Sequence, residues 1–191
     1  GERVLVVQKT GWGKSLVYFM ATKILRAQGA GPTLIISPLL ALMENQIESA
    51  GRLGLNVATI NSSNRDDWEE IFSQLGSYDA LIISPERLSN EGFMKRLAGV
   101  RGIRLFVVDE AHCISDWGHD FRPDYQRVSR FLQSLPEDAA ILGTTATAND
   151  RVIRDIRAQL GHGLSVVRGD LIREELAIQV NPEQTREERL A

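Results

Sequence analysis

The chain has 191 residues, 43% of them hydrophobic and 25% charged, with a formal net charge of −3. That balance suits one folded domain with a substantial core and excludes a disordered or fibrous chain, while the negative charge confines any nucleic-acid contact to a local patch. Cys113 is the only cysteine, which excludes an intrachain disulfide and points to a reducing, intracellular setting, and no apolar run approaches the roughly 20 residues that a bilayer span needs.

The chain opens on Gly1 with a strand immediately behind it, and it is read as a fragment of a longer protein. Short runs rich in Val, Ile and Leu recur along it, each followed by a turn signal and a stretch of helical periodicity. They predict strands at Val4–Val7, Thr33–Ile36, Val57–Ile60, Ala80–Ile83, Leu105–Val108, Ala140–Leu142 and Leu164–Val167. The alternation predicts an α/β domain with a mainly parallel sheet and helices on both faces, with ligands beyond the carboxyl ends of the strands.

Between the first two strands, Leu16, Phe19, Met20 and Ile24 form an apolar stripe on a helix that starts near Gly13, expected to pack on the sheet. Met43, Ile47 and Ala50 repeat the pattern, as do Ile71 with Leu75, and Val152 with Ile156 and Leu160. Ser37-Pro38 and Ser84-Pro85 follow two closely similar strands, and each serine is expected to cap a helix whose first turn begins with proline. Residues 169–191 include the apolar stretch Leu176–Val180 and the charged run Glu183–Arg189. They are read as a linker toward a second domain, with a solvated terminal helix equally compatible.

Thr10-Gly11-Trp12-Gly13-Lys14-Ser15 stands directly after the first strand and before a helix, where a phosphate-binding loop belongs. Glycines let successive N–H groups turn toward phosphate oxygens, and the helix presents its positive end. Lys14 would neutralise the β- and γ-phosphates of ATP, and Ser15 would ligate Mg²⁺. Gln8 replaces the glycine usual at the start of such a loop, and Leu16 at the position of a third glycine excludes a dinucleotide fingerprint. For Trp12 three readings stand: it covers the nucleotide, packs on a neighbouring domain, or lies exposed.

Leu105–Val108 ends in Asp109-Glu110-Ala111-His112. The strand delivers Asp109 to the sheet edge, where it would hold Mg²⁺ through water opposite Ser15, and Glu110 would orient and deprotonate the attacking water. His112, Cys113 and His119 lack a fourth donor and do not make a zinc site. Arg151, Arg154 and Arg157 read as a solvated helix face.

Asp109-Glu110-Ala111-His112 resembles the DEAH box of superfamily-two helicases, and Thr145-Ala146-Thr147 resembles their motif III. Ser37–Met43 and Ser84–Leu88 resemble the segments that line the nucleic-acid track, and Cys113–Pro123 is similar to the aromatic-rich loop of the RecQ family of DNA helicases. The resemblance covers nearly the whole chain. It implies a RecA-like P-loop lobe over residues 1–168 that binds ATP and Mg²⁺ and works with a second RecA-like lobe of the same polypeptide on single-stranded and duplex DNA.

The resemblance also assigns Lys14, Ser15, Asp109 and Glu110 to ATP and Mg²⁺. It gives His112, Thr145 and Thr147 to coupling of hydrolysis with DNA movement, and Ser37, Ser84, Trp117, Phe121 and Arg122 to nucleic acid. Stacking of bases on Trp117 and Phe121 is physically reasonable, and so is a purely structural role as hydrophobes pinning a loop. An RNA helicase of the DEAH type, or a P-loop ATPase that acts on no nucleic acid, remains the alternative.

Overall fold

The computed structural model describes residues 1–38, 40–115 and 123–170. Seven strands form one sheet: β1 (Arg3–Val7), β2 (Thr33–Ile36), β3 (Val57–Ile60), β4 (Ala80–Ile83), β5 (Leu105–Val108), β6 (Ala140–Thr145) and β7 (Ser165–Arg168). Their spatial order is β3-β4-β2-β5-β6-β1-β7, and every pairing is parallel. The residues of β2, β4 and β5 are buried without exception, which is why these strands are apolar at consecutive positions. The edge strand β7 is largely exposed.

Helices cover both faces. One face carries α1 (Lys14–Ala27) and α2 (Leu40–Arg52), packed through Tyr18, Phe19, Met43 and Ala50. The other carries α3 (Trp68–Ser73), α4 (Glu91–Ala98), α5 (Val128–Leu132) and α6 (Asp150–Leu160), packed through Ile71, Phe93, Phe131 and Ile156. The expected stripe on α6 holds, since Val152, Ile156 and Leu160 are all buried.

The stripe on α1 does not. Leu16, Met20 and Ile24 are exposed, and only Phe19 of the four faces the sheet. The buried face is instead Tyr18, Phe19 and Thr22. The Thr22 hydroxyl donates to the Tyr18 carbonyl at 2.8 Å and accepts from the Thr33 hydroxyl at 2.9 Å, and the Tyr18 and Phe19 rings meet edge to face at 4.7 Å. A tyrosine and a threonine with satisfied hydroxyls can occupy a core-facing position that a pattern of purely apolar residues misses.

The Ser-Pro junctions also differ from expectation. Pro85–Ser89 is a 3₁₀ turn, not an α-helix, and Ser84 does not cap it: the Ser84 hydroxyl donates to Glu86 Oε1 at 2.6 Å. Ser37 is fully buried, and its hydroxyl has no hydrogen-bond partner among the described residues. Neither hydroxyl caps a following turn among the described residues: one is shut in and the other lies against a carboxylate. β6 extends three residues beyond the predicted Leu142, since Gly143, Thr144 and Thr145 pair with Leu5, Val6 and Val7.

Candidate active site

The carboxyl ends of β1, β6 and β5 lie side by side, which brings residues from distant parts of the chain to one edge of the sheet. Beyond β1 the backbone turns through Gly11 at φ 84° and Gly13 at φ 97°, a left-handed conformation that a side chain would strain. This turn opens directly into α1, whose first residues are Lys14 and Ser15. The Lys14 amine donates to the carbonyl of Gln8 at 2.9 Å and to that of Lys9 at 3.3 Å.

Beyond β5, Asp109 is 7% exposed and Glu110 adopts φ 48°, the only positive φ at a non-glycine residue among those described. Backbone strain of this kind is held in place by surrounding structure and clusters at functional sites. The Asp109 carboxylate is bound from both sides. Its Oδ1 accepts from the Thr144 hydroxyl at 2.5 Å and from the Glu110 N–H at 3.0 Å, and its Oδ2 accepts from Gln46 Nε2 at 2.7 Å.

Burial is the largest influence on this carboxyl and pushes it above the usual carboxylate range. The Thr144 hydrogen bond pulls it down, the Glu110 charge pushes it up, and the Glu110 N–H and the Lys14 amine pull it down again. That Lys14 acts on Asp109 electrostatically reflects how near they lie, across 95 positions of sequence, counting from 14 to 109.

Gly11, Gly13, Lys14, Ser15, Asp109 and Glu110 line one cleft of about 340 Å³, together with Asn45, Gln46 and Ser49 of α2. The cleft is of the size that small-molecule ligands occupy. It joins an amine, a hydroxyl and the start of a 14-residue helix to two carboxylates, which is the equipment needed for a phosphorylated ligand and a hard cation. Thr10 and Trp12, expected in the loop, are exposed and do not line it; Trp12 is 49% exposed.

His112 lies on a 3₁₀ turn, Ala111–Ile114, and its Nδ1 is 2.9 Å from Thr145 Oγ1 and 3.2 Å from Glu110 Oε2. Thr145 in turn donates to the Thr147 carbonyl at 3.0 Å. His112, Thr145 and Thr147 thus form a chain leading away from Glu110. Trp117, Phe121 and Arg122 lie outside the described residues. Just after them Tyr125 is fully buried, and its hydroxyl donates to the Asp109 carbonyl at 3.0 Å.

Sequence reading missed Gln46, Tyr18 and Thr144. Gln46 alone left a signal, a polar residue set between Met43 and Ala50 on the buried face of α2.

The sequence matches the DEAD/DEAH box helicase family over residues 1–156. It is 38% identical over 164 residues to the ATP-dependent DNA helicase RecQ of Bacillus subtilis, covering 83% of this chain and 27% of that protein. It is 38% identical over 166 residues to the ATP-dependent helicase SGS1 of Saccharomyces cerevisiae, covering 82% of this chain and 11% of that one. The chain therefore spans about a quarter or less of these two relatives. Among solved structures, the Pyrococcus furiosus Hef helicase domain superposes with a TM-score of 0.67 at 21% identity, over 87% of this chain and 35% of that one. With an all-parallel sheet, a glycine-turned loop and a strand-end acid pair beside a family match over residues 1–156, this chain belongs to the DEAD/DEAH box helicase family.

Proposed function

We propose that residues 1–168 are the first RecA-like lobe of a RecQ-family DNA helicase, and that residues 169–191 lead toward a second lobe of the same polypeptide. The intact protein couples ATP hydrolysis to translocation on single-stranded DNA and to duplex unwinding. One observation carries this: Lys14, Ser15, Asp109 and Glu110 line the same cleft at the carboxyl edge of the sheet. The likeness to RecQ of Bacillus subtilis, a DNA helicase, favours DNA over RNA as the nucleic acid. A bacterial cytoplasm is the setting we infer; no helix among the described residues is long and apolar enough to cross a membrane.

ATP enters as substrate, with its β- and γ-phosphates toward Gly13 and Lys14. Phosphate oxygens then compete for the Lys14 amine with the two carbonyls that hold it. The Ser15 hydroxyl and the Asp109 carboxylate are hard oxygen donors lining the same cleft and fit Mg²⁺, Asp109 acting through water. Bound there, the ion would offset charge on the phosphates. Lys14 spreads the charge that develops on the γ-phosphate, and Glu110 orients the attacking water and receives its proton. Glu110 is suited to this because its carboxylate stays within reach of solvent, with 23% of the side chain exposed, and is steadied by His112.

An arginine from a second lobe is worth about 10³–10⁵ in rate in related ATPases. This fragment alone is therefore expected to bind ATP weakly and to turn it over hardly at all. The test compares ATP hydrolysis by the intact protein with single-stranded DNA, with RNA, and with neither. Stimulation by DNA supports the reading; stimulation by RNA alone, by neither, or brisk DNA-stimulated turnover by the fragment counts against it.

A further inference from the structure

One residue of α2 is left over from that chemistry. Gln46 is 7% exposed and shares the buried face of the helix with Met43 and Ala50, where an apolar side chain would ordinarily stand. Its Nε2 donates one hydrogen to Tyr18 Oη at 3.0 Å and the other to Asp109 Oδ2 at 2.7 Å. A carboxylate can only accept, so the nitrogen end of the amide must face Asp109, and both N–H bonds are then committed. The other end, Oε1, is buried and has no partner among the described residues, although Gln46 lines the cleft with Lys14, Ser15, Asp109 and Glu110. That oxygen is closed off from solvent as well, so whatever Gln46 does for the cleft it does through its nitrogen.

The nitrogen matters because of what a magnesium ion brings with it. Mg²⁺ sheds its waters reluctantly, so it arrives in such a site with water molecules that are strong hydrogen-bond donors and need acceptors around them. Asp109 is one acceptor, held rigid by Thr144 and the Glu110 N–H at Oδ1 and by Gln46 at Oδ2. A cationic donor in place of Gln46 would neutralise that carboxylate, whereas an amide N–H orients it without adding charge.

We propose that Gln46 is a positioning residue for the metal: its amide nitrogen fixes Oδ2 of Asp109, so that the carboxylate is set to accept from a water in the magnesium shell. Tyr18 serves the same arrangement by taking the second amide hydrogen and so fixing the amide itself. This rests on the reading of Asp109 as the water-mediated partner of Mg²⁺.

The test uses the full-length protein and a fluorescent ATP analogue, with binding followed while Mg²⁺ is titrated, so that it reads metal affinity and not turnover. Gln46→Met keeps the length of the side chain and removes both amide groups. Partners that orient first-shell ligands typically contribute 10–100-fold to metal affinity, so the Mg²⁺ concentration for half-maximal binding is expected to rise by about tenfold or more. Binding of the analogue without metal should stay close to wild type, which a merely structural role for Gln46 would not predict. Asp109→Asn, run in parallel, examines the underlying reading. If Asp109→Asn raises the Mg²⁺ requirement and Gln46→Met does not, the role of Gln46 is overturned and that of Asp109 stands; if neither raises it, both fall. Should Gln46→Met fail to fold, Gln46→Asn keeps the polarity, withdraws the amide by one methylene, and is held to the same outcomes.

Discussion

Nδ1 of His112 stands 2.9 Å from the hydroxyl of Thr145. Thr145 has already given its hydrogen to the Thr147 carbonyl and accepts the Thr147 N–H. The contact therefore requires a protonated Nδ1 that donates to Thr145, with Glu110 Oε2 at 3.2 Å as a second acceptor. One imidazole N–H is thus shared between the acid pair after β5 and the end of β6. Residues joined in one network give non-additive effects of about 0.5–3 kcal/mol. In the intact protein His112→Ala and Thr145→Val should each reduce duplex unwinding more than basal ATP hydrolysis, and the double variant should lose less than the sum. Additive losses in a double-mutant cycle would show that the two side chains act separately.

Glu110→Gln tests the general base. Glutamine keeps the shape and suits the same left-handed backbone no worse, so the fold should survive. Nucleotide binding should persist, while turnover by the intact protein falls by about 10²–10⁴, the usual contribution of a positioned base. Equilibrium binding alongside single-turnover hydrolysis measures both, and unchanged hydrolysis would remove Glu110 from its assigned role.

For Asp109 the sign of the pH effect can be worked out. Burial raises this carboxyl above its ordinary range, so the folded protein binds the proton more readily than the unfolded chain does. Its contribution to stability is fully present below the ordinary carboxylate range and is lost as pH rises through the raised value. Asparagine carries no charge at any pH. Without metal, Asp109→Asn should therefore melt higher than wild type at neutral pH, by roughly 2–4 °C for each kcal/mol relieved. The advantage should shrink on acidification. Melting curves across that range check it, and a variant that melts lower at neutral pH would contradict the account.

The two sides of α1 should respond in opposite ways to substitution. Phe19 is fully buried, and Phe19→Ala should cost about 3–5 kcal/mol. Met20 is 43% exposed, and Met20→Lys should change stability by about 0.5 kcal/mol or less. Urea denaturation of both variants measures the contrast.

Most of the sheet was readable in advance. β2, β3, β4 and β5 run over the predicted residues because buried parallel strands leave unbroken apolar runs between turn signals. β6 was read short because Thr144 and Thr145 are polar, yet they are buried, one against Asp109 and the other against His112. The meeting of Lys14 and Ser15 with Asp109 and Glu110 followed from strand-end logic alone. Gln46 and Tyr18 did not, because their place depends on hydrogen bonds closed across two helices and a strand. The turn of α1 was misplaced for a related reason: Tyr18 and Thr22 count as polar in a pattern and as core in the molecule.

The two carbonyls that hold the Lys14 amine bear on how tightly the cleft can grip a nucleotide. Tied back on its own loop, the lysine has its long side chain already ordered, so an arriving phosphate meets a pre-set cation and spends little entropy on it. The same tether subtracts from the grip, because two contacts must loosen before the charge can be shared. Release of product is made easier by the same amount, which fits the repeated cycle of the proposed motor.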